Sequence, residues 1–294
     1  MRIKVLVVVA VFVLSTFAVA QNQQDFSKVE IKTTRITDKF YTLEGQGGTI
    51  GALVGPDGVF LVDTQFAPLT EKIVAAVKKI SSSPIKFVVN THLHGDHTGG
   101  NENFGKLGAV LFSRDQLRAR LARPAGNAAP PSAVALPVVT YDGPVTLHMN
   151  GEDVQLIPIR SAHTDGDTLV RFVGLDILMP GDYYRSIGYP NIDRNNGGSL
   201  AGMLEGLGAT IGLAGPNTKI IPGHGAIVDR TAVTAHRDMM LVLRDRVATL
   251  IKQGKTLPEI NASKPTSDYD SKVEQPGTTG ERFIGQLYAE LGGK

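Results

Sequence analysis

The sequence predicts an α+β protein in which two β-sheets pack face to face and helices cover their outer sides. Three observations support this fold class. Strand-like and helix-like segments alternate along the chain, and they do so in two strand-rich halves that each carry their own helices. Apolar residues make up 42% of the chain, which is enough for a sizeable core. Such an arrangement places a site where strand ends from both halves meet.

The N-terminal segment has the features of a secretory signal peptide. Arg2 and Lys4 are basic, residues 5–17 are almost wholly apolar, and residues 18–20 are small enough for a cleavage site. The apolar run is too short to span a bilayer, so an uncleaved membrane anchor is the less favoured alternative. We expect residues 1–20 to be a removed signal peptide and residues 21–294 to form a single domain. The mature protein would then be periplasmic or secreted, without stable membrane association.

Composition excludes several classes of partner and cofactor. The chain has 30 basic and 28 acidic residues, and two of the basic residues belong to the signal segment. The mature chain is therefore balanced in charge and is not expected to bind nucleic acid. There are no cysteines, which excludes disulfides, thiolate ligands and iron–sulfur clusters. Stability must come from packing and from metal.

The first half of the chain alternates strands and helices. The turn signal Gly55-Pro56-Asp57-Gly58 predicts a hairpin between two neighbouring strands. An apolar stripe at helical spacing runs from Ile73 to Ile80, and residues 81–84 end that helix. Residues 123–137 are rich in alanine and proline and predict a surface loop. The predicted strands are residues 31–36, 40–43, 47–54, 59–62, 85–90 and 109–112, and the predicted brief helices are residues 101–104 and 115–121.

The second half repeats the scheme. Ser199 is the predicted N-cap of a helix whose apolar stripe runs from Leu200 to Ile211. Thr231 is the predicted N-cap of a long helix that ends at Gly254. The predicted strands are residues 145–149, 154–159, 168–173, 177–179 and 219–221, and a last helix covers residues 281–291.

The stretch His92-Leu93-His94-Gly95-Asp96-His97 is the most informative about function. Imidazole nitrogen and carboxylate oxygen are ligands that suit zinc and its neighbours. Four such groups packed together without a metal would leave donors and acceptors unpaired. Gly95 is expected to let the backbone turn sharply, so that His92 and His94 face one metal while Asp96 and His97 face another. Two neighbouring metals imply activated water and hydrolysis.

Three further ligand candidates lie at predicted strand ends. His163 precedes one strand, whereas Asp182 and His224 each follow one, and glycine or other small residues flank all three. Five of the seven histidines therefore fall in these motifs. The remaining two, His148 and His236, are expected on the surface of a strand and a helix.

The order and spacing of these residues over positions 40–230 resemble the metallo-β-lactamase superfamily. The resemblance implies a four-layer αββα sandwich that binds two zinc ions per chain. Asp63 matches a buried aspartate of that family, which would support the metal loop through hydrogen bonds. The implied ligands are His92, His94 and His163 for the first metal, Asp96, His97 and His224 for the second, and Asp182 as the bridge between them.

This resemblance implies a metal-bound hydroxide as the nucleophile. Two divalent ions lower the pKa of bound water from about 16 toward about 7, and the hydroxide between them attacks a carbonyl or phosphoryl centre. Asp96 is expected to be a ligand and to orient the hydroxide. The acid that protonates the leaving group stays open between a metal-bound water, Tyr183 and Tyr184, with core packing as the alternative for both tyrosines.

Departures from the family's subgroups narrow the expected substrate. Without cysteine, lactamases with a cysteine ligand are excluded, and a bridging Asp182 favours the wider group of lactonases, thioesterases and phosphodiesterases. No basic cluster typical of glyoxalase II follows His224, and Arg185 stands where quorum-quenching lactonases place a tyrosine. We expect an exported hydrolase of a small ester, lactone or β-lactam. The predicted pocket lining is Gln65, Phe66, residues 123–137 and residues 183–198.

Two alternative functions differ in metal content. A persulfide-dioxygenase-like enzyme would bind a single iron through His92, His94, His163 and Asp182. A non-catalytic exported protein would bind zinc without turnover. The expected partner is a small-molecule substrate, and the oligomeric state is left open.

Overall fold

The chain folds into one sheet of seven strands and a second sheet of five, in a computed structural model that describes residues 25–123 and 129–293. The predicted signal peptide and residues 124–128 of the predicted loop lie outside the described residues. In the first sheet the strands follow chain order, antiparallel up to the fourth strand and parallel from there on. Its strands are β1 (Lys32–Arg35), β2 (Phe40–Glu44), β3 (Ile50–Leu53), β4 (Val59–Val62), β5 (Ile85–Val89), β6 (Val110–Arg114) and β7 (Val139–Tyr141).

The second sheet is antiparallel except at one edge. Its strands are β8 (Val145–Met149), β9 (Glu152–Pro158), β10 (Thr168–Phe172), β11 (Ile177–Gly181) and β12 (Lys219–Pro222). The order is β12-β11-β10-β9-β8, and β11 and β12 run parallel. Because β11 and β12 are parallel neighbours, the residues that follow them emerge at the same edge of the sheet.

Helices cover the outer side of each sheet. They are α1 (Thr70–Ile80), α2 (Gly95–Thr98), α3 (Asn101–Lys106), α4 (Asp115–Leu121), α5 (Leu200–Leu213), α6 (Arg230–Lys252), α7 (Leu257–Ala262) and α8 (Gly280–Glu290). Short 3₁₀ turns lie at Ala67–Leu69, Ala133–Ala135 and Arg194–Asn196. Within the described residues, no helix combines the length and apolar character needed to cross a membrane.

Three apolar clusters hold the layers together. Between the sheets, the ring of Phe172 on β10 packs 4.6 Å from Phe40 and 6.2 Å from Phe60 of the first sheet. A second cluster packs α1 and α3 on the first sheet, and a third packs α5, α6 and α8 on the second. The resulting order of helix, sheet, sheet and helix confirms the predicted αββα sandwich.

The structure differs from the sequence prediction at particular elements. The short strand β7 and the helix α7 were not predicted. The predicted N-cap Thr231 is wrong, because α6 begins two residues earlier and the carboxylate of Asp229 accepts the amide of Ala232 at 3.0 Å. Ser199 does cap α5, accepting the amide of Gly202 at 3.0 Å.

Hydrogen bonds between the sheets fix the edge at which the ligand segments meet. The amide of Thr168 donates to the carbonyl of Thr91 at 2.8 Å, and that of Thr49 donates to Gly223 at 2.8 Å. Each bond joins a segment of one sheet to a segment of the other. The loop after β5 therefore meets the start of β10, and the loop before β3 meets the loop after β12.

Candidate metal centre

Four predicted ligands lie where the chain leaves β5 and enters α2. His92 and His97 are buried, whereas the side chains of His94 and Asp96 are 27% and 28% exposed. The predicted sharp turn at Gly95 is wrong, because Gly95 has no positive φ and an added Cβ there would meet no atom within 4 Å. The change of direction comes instead from the single turn of α2, in which the amide of His97 donates to His94 at 2.9 Å.

The second sheet brings the other three predicted ligands to the same place. His163 lies in the loop before β10, Asp182 follows β11 directly, and His224 follows β12. His163 Nε2 lies 3.0 Å from His94 Nδ1. His224 Nε2 lies 3.3 Å from His97 Nε2 and 3.1 Å from Asp96 Oδ2. The structure therefore brings together all seven residues that the sequence singled out.

Asp182 lies between the two halves of this cluster. Its Oδ1 is 3.3 Å from His97 Nε2, and its Oδ2 is 3.3 Å from His224 Nε2 and 4.0 Å from His92 Nε2. The ligand atoms form three overlapping groups in which all atoms lie within 4.8 Å of one another. The groups are His92, His94 and His163; His92, His97 and Asp182; and Asp96, His97 and His224.

Outer hydrogen bonds fix which nitrogen of His94 and His163 carries a proton. His163 Nδ1 must donate to the backbone carbonyl of Asn191 at 2.6 Å, because a carbonyl can only accept. His94 Nε2 donates to the carboxylate of Asp193 at 2.8 Å. In the neutral imidazoles, His163 Nε2 and His94 Nδ1 then carry lone pairs that face each other at 3.0 Å. A cation between them would turn this repulsion into attraction.

The same reasoning applies to His92 and His97. Asp63 accepts the amide and the hydroxyl of Thr91, each at 2.7 Å, and His97 Nδ1 donates to its Oδ2 at 2.7 Å. The Thr91 hydroxyl already donates its proton to Asp63, so it can only accept from His92. His92 Nδ1 therefore donates to Thr91 Oγ1 at 3.1 Å. In the neutral imidazoles, Nε2 of both rings then carries a lone pair, and His92 Nε2 is buried without a hydrogen-bond partner.

These observations test whether the residues fit a metal. Buried atoms without a partner are costly, and both His92 Nε2 and Asp182 Oδ1 lack a hydrogen bond. Each of these atoms belongs to a residue in the ligand groups. The donor set consists of imidazole nitrogen and carboxylate oxygen, the ligands of zinc and related divalent ions. The residues therefore fit a bound divalent metal.

The charges of the site act in the same direction. Burial lowers the pKa of His92 well below its usual value and lowers that of His163 to about 4, so both imidazoles are neutral ligands at neutral pH. Burial also opposes charge on His97, but the carboxylates of Asp182 and Asp63 outweigh it and raise its pKa well above normal. The pKa of Asp182 is held well below normal despite burial, because His97 and His224 face it. The carboxylate at the centre thus attracts any cation.

Several predicted pocket and surface residues lie elsewhere. Gln65 is fully buried and donates to the carbonyl of Gly48 at 2.8 Å, so the prediction that it lines a pocket is wrong. Tyr183 is also buried, and its hydroxyl bonds Thr210 of α5 at 2.7 Å, which places it in the core. His148 is exposed as predicted. His236 is not simply on the surface, because its Nε2 is buried and burial lowers its pKa to about 4.

Asp63 accepts hydrogen bonds from Thr91 and His97 as expected, but the other residues that orient the ligands were missed by the sequence reasoning. Asp193 and Asn191 lie in the segment 183–198, which was predicted only as pocket lining. A cavity of about 450 Å³ beside His94 is indeed lined by both of them. Thr91 directly precedes His92, and nothing about a threonine at a strand end indicates that it organises an aspartate and a histidine.

A four-layer sandwich with a histidine- and aspartate-rich cluster at its strand ends defines a class of metal-binding hydrolases. The sequence profile of the metallo-beta-lactamase superfamily matches residues 44–224, more than half of the chain. The chain belongs to that superfamily.

Relatives within this fold differ in activity. A linear primary-alkylsulfatase of Pseudomonas sp. (strain ATCC 19151) is 42% identical over 50 residues, which are 17% of this chain and 10% of that protein. The inverting sec-alkylsulfatase Pisa1 from Pseudomonas sp. has a TM-score of 0.66 and 18% identity over 90% of this chain and 50% of its own. This chain therefore spans about half of the length of Pisa1 and a far smaller part of the primary-alkylsulfatase.

Smaller structures of the same fold match almost over their whole length. A metallo-beta-lactamase from Pontibacter korlensis has a TM-score of 0.61 and 18% identity, over 72% of this chain and 99% of its own. The DIM-1 metallo-beta-lactamase has a TM-score of 0.61 and 17% identity, over 72% of this chain and 98% of its own. At these identities the likeness shows the fold alone.

Proposed function

We propose that the protein is a dinuclear zinc-dependent hydrolase that cleaves a small ester, lactone or β-lactam. The observation that carries the proposal is the convergence of imidazole nitrogens on the carboxylate of Asp182. Outer hydrogen bonds direct one ring proton away from the cluster in four of the histidines, namely His92, His94, His97 and His163. The proposed ligands are His92, His94 and His163 for one ion, Asp96, His97 and His224 for the other, and Asp182 between the two.

Asp96 is the proposed catalytic residue. Bound divalent ions would lower the pKa of a water molecule toward neutrality and polarise the substrate oxygen. Burial raises the pKa of Asp96, but the hydrogen bond from His224 and the charge of His97 lower it overall, so the carboxylate is ionised at neutral pH. Its side chain is 28% exposed, compared with 6% for Asp182. Asp96 can therefore accept a proton from water and orient it, while Asp182 cannot reach solvent as readily.

Replacing one ligand tests the proposed function. We expect His94→Ala to abolish hydrolysis and to lower the metal content, because it removes Nδ1 from the His92–His94–His163 group. The assay is a parallel screen of β-lactams, lactones, carboxylic esters, thioesters, phosphodiesters and alkyl sulfates, with metal content measured by mass spectrometry. His148→Ala is the matched control, because that imidazole is 75% exposed and bonds only Asp153. Turnover by His94→Ala at the wild-type rate would refute the proposal.

Metal content separates the two alternative functions from this proposal. A mononuclear iron enzyme would use His92, His94, His163 and Asp182 and would leave His224 and Asp96 without a role. The third ligand group, in which His224 lies 3.1 Å from Asp96, favours two ions. One iron per chain with oxygen consumption would favour the dioxygenase-like alternative. Two zinc ions without turnover of any compound in the screen would favour the non-catalytic one.

A sulfate ester is a second candidate substrate. The 50-residue match is to a protein named as a primary-alkylsulfatase, and a structure of the same fold is named as a sec-alkylsulfatase. The side chain of Arg185 also approaches Asp182, with Nε 4.0 Å from Oδ2, and could meet the extra charge of a sulfate. Release of inorganic sulfate from an alkyl sulfate would favour this candidate over a carboxylic ester.

Export is part of the proposal. The basic residues, apolar run and small residues of positions 1–20 support a cleaved signal peptide and a periplasmic or secreted enzyme. We expect the intact mass of the protein recovered from the producing cells to correspond to a chain that begins near Gln21. A mass that includes residues 1–20 would contradict this part of the proposal.

A further inference from the structure

A cavity of about 400 Å³ begins at the residues that follow Asp182. It is lined by residues 184–186 and, from α6, by Ala232, Ala235 and Met239. The volume falls within the range of small-molecule sites. Apart from residues 184–188, its lining residues lie beyond residue 224, where the match to the family profile ends. The cavity is therefore largely built by a part of the chain that the family comparison does not cover.

Arg185 connects this cavity to the metal centre. Its side chain is only 17% exposed, and its Nε is buried without a hydrogen-bond partner. The nearest carboxylate oxygen, Asp182 Oδ2, is 4.0 Å away and lies 3.3 Å from His224 Nε2. A buried guanidinium N–H without an acceptor is costly, and an anionic group on a ligand is the acceptor that suits it best.

The remaining residues that line the cavity indicate the chemistry of the rest of the ligand. The lining is mostly apolar and includes Val228 and Val273 in addition to the α6 residues. Lys272 adds a second cation, and its ammonium lies 5.6 Å from the ring centre of Tyr269. A cavity with cations at its edge and apolar walls fits a molecule with one charged end and one apolar end.

We propose that this cavity binds the substrate of the metal centre, and that the substrate is an anionic amphiphile whose negative group pairs with Arg185 while its apolar part packs against α6. The negative group is a carboxylate, sulfonate or sulfate on a short alkyl or aryl chain. The inference rests on the proposed function, since it assigns a substrate class to the proposed hydrolase. Under this inference, neutral esters and lactones are poorer substrates than anionic ones.

Binding of a compound that cannot be hydrolysed tests the cavity directly. We titrate 1-octanesulfonate and 1-octanol into the metal-loaded protein in a calorimeter. We expect the sulfonate to bind more tightly than the alcohol and Arg185→Met to weaken sulfonate binding by about tenfold to a hundredfold. Ala235→Trp, at an exposed helix position, should weaken both ligands because the indole occupies the cavity. Arg244→Met removes one positive charge elsewhere on α6 and should change nothing.

The outcomes separate this inference from the proposed function. Equal sulfonate affinity in wild-type protein and Arg185→Met would overturn the inference, and so would an unchanged affinity in Ala235→Trp, because the sulfonate would then lie only on the metals. Arg185→Lys keeps the charge, and we expect it to bind sulfonate more tightly than Arg185→Met if both variants retain the wild-type melting temperature. Sulfonate binding as expected without turnover of any ester would contradict the proposed function alone. Hydrolysis of neutral and anionic esters at equal rates would contradict the inference alone.

Discussion

The protonated nitrogen of four candidate ligands, His92, His94, His97 and His163, is set by one neighbouring acceptor each. Asp63 is the most connected of these acceptors, because it receives the backbone amide and hydroxyl of Thr91 as well as His97 Nδ1. The residue has φ of 68°, in the left-handed region that aspartate and asparagine tolerate better than most residues. A single side chain thus joins the end of β4 to the metal loop.

Asp63→Asn tests this role without changing the size of the side chain. Asparagine tolerates the same backbone conformation, but its amide NH₂ would face donors in either orientation: the Thr91 amide at the position of Oδ1, or the Thr91 hydroxyl and the His97 N–H at the position of Oδ2. We expect zinc affinity to fall by about tenfold to a hundredfold, measured by competition with a chromophoric chelator. Asp38→Asn is the control, because the Asp38 side chain is 97% exposed. An equal loss in both variants would mean that Asp63 contributes only general negative charge.

Glycine is required at one position beside the ligands and not at another. A Cβ on Gly223 would lie 2.0 Å from Asp182 Oδ1, whereas one on Gly95 would meet nothing within 4 Å. We expect Gly223→Ala to displace the Asp182 carboxylate and to lose at least one zinc ion per chain. Gly95→Ala should keep the wild-type metal content, although it lies between two ligands in sequence. The measurement is the metal content of each variant after dialysis. Retention of both ions by Gly223→Ala would contradict the expectation.

At the scale of elements, α8 holds the loop that orients two ligands. Gln286 donates to Asn191 Oδ1 at 2.9 Å and accepts the amide of Ile192 at 3.0 Å. The same loop supplies the Asn191 carbonyl to His163 and the Asp193 carboxylate to His94. A helix outside the family match therefore determines the orientation of part of the metal centre.

Gln286→Met removes both hydrogen bonds and keeps the length of the side chain. We expect the ion held by His92, His94 and His163 to bind several-fold more weakly, up to about tenfold, while the other ion is less affected. Stepwise titration with Co²⁺, followed by its absorption spectrum, measures the two ions separately. Arg282→Met on the same helix is the control, because its side chain is exposed and makes no hydrogen bond within the described residues. Equal weakening at both ions would show that Gln286 acts only on overall stability.

The sequence predicted these elements where a local signal exists, and it missed them where the signal lies in the tertiary structure. The predicted strands before His92 and Asp182 are found because buried apolar runs end there. β7 is only three residues long and has two exposed positions, so no periodicity could indicate it. The candidate ligands were recognised from residue type and position at strand ends, and their assignment to two metals came from the resemblance to the metallo-β-lactamase superfamily. Asp193 and Gln286 are recognised only in the folded chain, where α8 packs against the loop that contains Asp193 and that loop lies beside His94.

In the whole molecule, each of the two sheets contributes part of the candidate metal centre. The first sheet supplies the loop from His92 to His97, and the second supplies His163, Asp182 and His224. Ions held by both sets would link the sheets to each other at this edge. Because such ions bind the folded chain and not a preformed site in the unfolded one, they are expected to stabilise the fold by mass action.

The pH dependence of that stabilisation follows from the pKa shifts in the site. His97 and His224 have raised pKa values because, despite burial, Asp182 favours their protonated forms. In the metal-free chain this contribution to stability is complete below the unfolded pKa of about 6.5 and is lost as the pH rises through the folded value. The lowered pKa of Asp182 adds stability that is lost only in acid. Metal binding has the opposite trend, because protons compete for the same imidazoles and leave as the pH rises.

We therefore expect the gap in melting temperature between zinc-loaded and chelator-stripped protein to widen from about pH 6 to about pH 8.5. The stripped protein loses the stabilising protons of His97 and His224 as the pH rises through their raised pKa values, while the loaded protein gains tighter ligands from the same deprotonation. Calorimetric melting of both forms across the range measures the gap, and His148→Ala should show the same widening because its imidazole is exposed. A gap that stays constant or narrows would mean that these imidazoles do not bind the metal, since their protons and the zinc would not then compete.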